Sequence, residues 1–179
     1  ISSSFVIMAQ TMEPDNFKKI ILVNPSDINI IKEMPTKETK AAKTILEIPI
    51  LGTFIYNLIM HHKRIRNYIE SKYFFKKTFL ASKWEDTYFE SAHKGNSAGK
   101  YLLASTKGNY VNIDITNAVK KADNLYIISS RERNNAVAIT EKYLHLNKNI
   151  ETTYISNSRY LPQLETPDKF KDIVLMFLQ

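Results

Sequence analysis

Ser2, Ser3 and Ser4 stand in a row just ahead of an apolar run, Phe5-Val6-Ile7-Met8-Ala9. Hydroxyls at that place either cap a helix or supply a nucleophile. With no cysteine in 179 residues, the chain has no thiolate, no disulfide and no Cys-ligated zinc site. A serine attacks only when a base takes its proton, so the four histidines matter first. His61 and His62 close a basic helical stretch, where solvent exposure is expected, and His145 lies in a helical stretch that leads to a strand, where a structural role is expected. His93, in Ser91-Ala92-His93-Lys94-Gly95-Asn96, sits at a turn and is the one histidine placed to approach a pocket. There is no His-Glu-x-x-His, no His pair at i and i+4 and no acidic calcium-loop pattern. Gly52, Gly95, Gly99 and Gly108 are scattered, and none leads from a strand into a helix as a phosphate loop requires. The expectation is therefore no metal and no cofactor.

These residues must be held by elements that the hydropathy pattern locates. Residues 19–24, 125–129 and 152–156 are short runs rich in Ile, Val and Tyr, bounded by polar or turn residues, which is the pattern of buried parallel strands. Helical patterns cover residues 4–12, 116–122, 136–147 and 168–178, the last opened by Pro167-Asp168. Strands alternating with helices predict an α/β fold with a parallel sheet. Residues 26–112 break the alternation with five helical patterns, at 36–48, 50–62, 63–75, 83–93 and 97–107. The expected organisation is a core of residues 1–25 and 113–179 with a helical insertion at 26–112.

Hydrophobic residues make up 44% and charged residues 24%, with 4 Gly and 6 Pro, which supports a folded domain and excludes a disordered tail. The insertion carries 14 Lys and Arg against 8 Asp and Glu, hence +6 of the total +7. Such a surface can be a plain solvated face, can steer anionic substrates or can rest on an anionic membrane, and the solvated face is the simplest of the three. Nucleic acid is excluded as a partner because no interleaved aromatic ladder accompanies the densest cluster, Lys63-Arg64-Ile65-Arg66. The most apolar window, residues 46–60, is interrupted by Glu47, Pro49, Gly52 and Asn57, too short and broken for a membrane span of about 20 apolar residues. It is expected to form a helix whose broad apolar face looks toward either a pocket or the core. The lack of cysteine fits a cytoplasmic location. No secretory signal pattern precedes Ser2, and an upstream segment carrying any targeting information is expected.

Two stretches carry a resemblance. Ile1-Ser2-Ser3-Ser4-Phe5 reads as the nucleophile elbow Gly-x-Ser-x-Gly with its leading glycine just ahead of Ile1 and a small residue, Ser4, in place of the second glycine. Near the other end, Arg159-Tyr160-Leu161-Pro162-Gln163-Leu164-Glu165-Thr166-Pro167-Asp168-Lys169-Phe170 resembles the catalytic-histidine loop of the α/β-hydrolases, with Glu and Pro five and seven residues beyond the histidine position. Tyrosine stands where the histidine belongs. The resemblance covers essentially the whole chain but only the later part of that fold, from the elbow onward.

What the resemblance implies is a partial α/β-hydrolase fold, parallel strands flanked by helices with an inserted all-helical cap, and a serine hydrolase acting on a small ester or acyl substrate. Ser2 would be the nucleophile and the Ser3 N–H would join the oxyanion hole. Glu132, the carboxylate in Ser129-Ser130-Arg131-Glu132-Arg133-Asn134-Asn135, would be the triad acid, although a strict count from Ser130 lands on Arg133. A surface ion pair with its arginine neighbours is the alternative for Glu132. Tyr160 would take the place of the base. A phenol titrates near ~10, so it is about a thousandfold short of its anion at neutral pH and a poor resting base. The triad is thus degraded, and the second expectation is a non-catalytic hydrolase-like protein that keeps the pocket for binding.

Overall fold

The three apolar runs become a parallel sheet whose central run, residues 125–130, is buried on both faces, while the flanking runs are buried at fewer positions. The computed structural model describes residues 2–76 and 82–179, apart from the side chains of Ser82, Lys83 and Trp84. Strands β1 (Ile20–Val23), β2 (Leu125–Ser130) and β3 (Glu151–Ile155) lie in the order β1-β2-β3, both pairings parallel. Ile20 is opposite Leu125, Val23 opposite Ile128, and Ser130 opposite Ile155. Parallel pairing brings the carboxyl ends of all three strands to one edge of the sheet, where open α/β sheets place their ligands.

The period of two along β2 sends alternate side chains into two cores. Leu125 and Ile127 pack with Ile7 of α1 (Ser2–Met12), with Ala118 and Val119 of α8 (Thr116–Lys121), and with Ile139 and Tyr143 of α9 (Ala136–Leu146). Tyr126 and Ile128 pack the other way, with Ile155 and with Phe170, Ile173, Val174 and Phe177 of α11 (Pro167–Leu178). Tyr126 stacks on Phe177 at 4.5 Å between ring centroids. Two four-residue helices join the set: α2 (Ile28–Ile31), capped by Asp27 through the Asn29 N–H at 2.9 Å, and α10 (Pro162–Glu165).

The chain divides into two compact units, Ile1–Lys32 with Phe74–Lys76 and Ile113–Gln179, and Glu33–Tyr73 with Lys77–Asn112. The second unit is helical: α3 (Lys37–Glu47), α4 (Pro49–Ile59), α5 (His62–Tyr68) running into a wider turn at Ile69–Tyr73, α6 (Ser82–Ser97) and α7 (Gly99–Lys107). Thr36 and Thr39 form a reciprocal cap on α3, so two of the orphan donors at its start are satisfied. The chain then bends by 98° between α3 and α4. Pro49 opens α4, and Gly52 allows the bend because a Cβ there would come within 1.9 Å of the Leu46 carbonyl oxygen. Lys100 is buried in this unit and donates to the Pro49 carbonyl at 3.1 Å and the Thr53 hydroxyl at 2.9 Å.

The apolar face of α4 turns outward: Ile50 is 87% exposed and Phe54 62%, with Leu51 and Leu58 also exposed. It does not line the core of its own unit, where Gly52 and Tyr56 are the buried positions. No single helix among the described residues is long and apolar enough to cross a membrane; the bent pair α3 and α4 meets that test only when taken together.

Candidate active site

Three loops leave the carboxyl ends of the strands, and Asn24 ties them together. It follows β1 directly, in the left-handed region at φ 49°, which Asn tolerates better than most residues. Its Oδ1 accepts from the Ser130 N–H at 2.8 Å, and its Nδ2 lies 2.9 Å from Ser130 Oγ, 3.1 Å from the Tyr160 carbonyl and 3.3 Å from the Arg159 carbonyl. One side chain thereby joins the end of β1, the end of β2 and the loop after β3. Ser158 adds a second tie by donating from Oγ to Ser130 Oγ at 2.9 Å.

Glu132 turns its carboxylate to the backbone of the loop after β3. Oε1 accepts the Asn157 N–H at 2.9 Å and Oε2 the Ser158 N–H at 3.3 Å. Its arginine neighbours do otherwise. Arg133 is buried, at 8% exposure, donates from Nη1 to the Pro25 carbonyl at 2.8 Å, and holds its guanidinium 5.1 Å from the centre of the Tyr160 ring. The cation that occupies the expected offset of the acid therefore faces the ring that occupies the expected place of the base. Nε of Arg133 is buried and meets no hydrogen-bond acceptor among the described residues.

The spacing beyond Tyr160 has a local cause. Glu165 reaches back, accepting the Arg159 N–H at 2.8 Å and the Phe75 N–H at 2.6 Å, and so closes the loop that carries Tyr160. Pro167 then opens α11. The charge on Asp27 is opposed by burial, yet the hydrogen bond and charge of Lys142, the Asn29 N–H and Arg133 together hold its carboxyl below the usual range. Burial pushes the Tyr143 phenol up, against the opposing pull of Arg133, and its hydroxyl donates to the Ser26 carbonyl at 2.9 Å.

Ser2 is the first residue of α1 and is exposed; Ser3 is half-buried, and Ser4 is buried with no hydrogen-bond partner for its Oγ among the described residues. Ile1, the residue ahead of Ser2 in the elbow reading, lies outside the described residues. Glu132 binds the Asn157 and Ser158 N–H groups and Tyr160 packs against Arg133, while Ser2 stands at the start of α1. Among the histidines, only His145 belongs to the sheet unit, exposed in the last turn of α9. His61 caps α5 by accepting the Lys63 N–H, and His62 stacks on Phe89 at 3.6 Å. His93 also packs on Phe89, with ring centroids 4.1 Å apart and Nδ1 2.9 Å from the Phe89 carbonyl.

No family model and no curated protein matches the sequence. Solved structures do match the fold. A 2-hydroxy-6-oxo-6-phenylhexa-2,4-dienoate hydrolase from Rhodococcus sp. strain RHA1 aligns with a TM-score of 0.70 at 13% identity, over 99% of this chain and 61% of its own. A serine hydrolase from the polyaromatic-hydrocarbon-degrading bacterium Cycloclasticus zankles gives 0.69 at 13% identity, over 99% and 61%. A thermophilic esterase from Thermogutta terrifontis, solved with malate bound, gives 0.65 at 11% identity, over 98% and 60%. The chain has a partial α/β-hydrolase fold, and it spans about three fifths of the length of these relatives.

Proposed function

We propose that the chain is the later part of a lidded serine hydrolase of the carboxylic-ester type, with a degraded triad. In this reading residues 1–25 and 113–179 are the hydrolase core and residues 26–112 the cap. Ser2 is the nucleophile, and the Ser3 N–H is one oxyanion donor at the start of α1, where backbone amides are free to bind developing negative charge. Glu132 and Tyr160 stand in the loops of the acid and the base, and a small ester or acyl compound is the substrate. The likeness to an esterase and to two other hydrolases supports that class of chemistry.

The observation that carries the reading of a degraded relay is the Arg133 guanidinium over the Tyr160 ring. An active relay needs a base that becomes a cation as it takes the serine proton, steadied by a carboxylate behind it. A phenol flanked by a fixed cation inverts that charge arrangement. Glu132 would also have to release the Asn157 and Ser158 N–H groups to serve as acid. The same observation favours the second reading, a non-catalytic hydrolase-like protein whose pocket binds without turnover.

The two readings separate on restoration. In a chain extended by the strands that precede the nucleophile, Tyr160→His combined with Arg133→Asp should raise cleavage of p-nitrophenyl acetate by about a hundred- to ten-thousandfold, the usual worth of a general base. Tyr160→His alone should gain much less, because Arg133 would oppose the imidazolium. Adding Ser2→Ala should abolish the gain. No Ser2-dependent activity in the double variant would leave the binding reading standing.

A further inference from the structure

We propose that a cleft inside the helical unit binds a small, uncharged aromatic compound. The cleft measures about 470 Å³ and lies among α4, α5 with the following turn, α6 and α7. That volume suits a small molecule, since ligand pockets run from about 300 to 1,000 Å³. Its floor is buried and apolar, with Tyr56 at 2%, Ile69 at 4% and Ile65 at 8% exposure, whereas its rim leaves large apolar side chains in water, Leu102 at 68%, Tyr68 at 57% and Tyr88 at 45%. Exposed apolar groups converging on one concavity mark a binding site more often than an idle surface.

The lining selects against charge. Residues 33–112 carry 13 Lys and Arg against 7 Asp and Glu, yet among the described residues none of these lines the cleft. A carboxylate or ammonium ligand would lose hydration with no opposite charge in the described lining to compensate. The lining also selects for rings. Tyr56, Tyr68, Tyr73 and Tyr88 all face the space, and Tyr68 and Tyr73 meet edge to face at 5.6 Å, a wall that offers both ring edges and ring faces to a planar guest. Tyr56 is fixed in place: its hydroxyl donates to the Ala92 carbonyl at 2.7 Å, and a Cβ on Gly99 would come within 2.3 Å of that hydroxyl. The floor ring is thus pre-positioned rather than ordered by the ligand.

Titration of the full chain with biphenyl, bicyclohexyl and biphenyl-4-carboxylate, followed by ligand-observed saturation-transfer NMR, tests this. Biphenyl should bind about 2- to 12-fold more tightly per stacked ring than its saturated counterpart. The carboxylate should bind at least about tenfold more weakly than biphenyl. Leu103→Trp, which fills the cleft, should abolish binding. Leu102→Glu changes only an exposed rim position, so it should leave the fold intact and still weaken biphenyl by about tenfold or more. Absence of biphenyl binding, equal binding of bicyclohexyl or of the carboxylate, or binding that survives both variants would each overturn the proposal. The readout is binding alone, so it stands or falls apart from the hydrolase reading and its esterase test.

Discussion

Asn24 is the residue on which the candidate site depends, because a single amide side chain reaches the last residue of β2 and the loop after β3 from the end of β1. Asn24→Ala removes these bonds, strands the Ser130 N–H and puts at φ 49° a residue that tolerates the left-handed region less well than Asn, so a loss of about 2–4 kcal/mol is expected in urea unfolding. Asn24→Gly keeps the backbone conformation and loses only the bonds, so a smaller loss there would separate the two causes. Asp27 makes a pH prediction. Its folded carboxyl titrates below the unfolded value of about 3.9, so its contribution is complete above that value and is lost as pH falls through the lower folded pKa. Asp27→Asn should therefore flatten the acid limb of a stability-against-pH curve and leave its slope near neutrality unchanged. The spacing of Tyr160, Glu165 and Pro167 was legible in the sequence because one of the two bonds of Glu165, to the Arg159 N–H, lies within its own loop; the other, to the Phe75 N–H, was not legible. The roles of Asn24 and Arg133 were not, since Asn24 bonds residues more than 100 positions away and Arg133 meets Pro25 and Tyr160 only through the fold.

At the scale of elements, periodicity located all three strands to within one residue and most of the helices, but α4 stops at Ile59 rather than residue 62, the 63–75 pattern divides at Tyr68 into α5 and the wider turn, and α6 runs to Ser97 rather than residue 93. It passed over α2 and α10, four-residue helices too short to show a period; α2 rests on the Asp27 cap and α10 on Pro162 at its first position. The apolar run of residues 50–59 shows the opposite failure. Its hydrophobicity suggested a face turned to a pocket or core, and composition alone cannot tell inward from outward when a helix has apolar residues all round. The contrast can be measured. Ile127 on the central strand is fully buried, so Ile127→Ala should cost about 2–5 kcal/mol of unfolding free energy. Ile50→Ala, at a position 87% exposed, should change stability by less than about 0.5 kcal/mol.

At the scale of the whole molecule, the two units differ in how they keep apolar surface from water. The sheet unit builds two cores either side of β2 and scatters its exposed apolar residues, such as Met12, Ile30 and Val137, over several helices, while the helical unit gathers Ile50, Leu51, Phe54 and Leu58 on one uncharged helix. Contiguous apolar surface of this kind on a folded chain drives association unless something covers it. β1 adds to the hazard as a short strand at the edge of the sheet. The isolated chain should accordingly lose solubility as its concentration rises, with light scattering increasing while the far-ultraviolet circular dichroism keeps its helical signature. Ile50→Ser combined with Phe54→Ser should raise the concentration at which scattering begins without lowering the unfolding midpoint, because both side chains are already in water. If the double variant scatters at the same concentration as the parent chain, the α4 face is not what drives association, and the edge of β1 becomes the surface to alter.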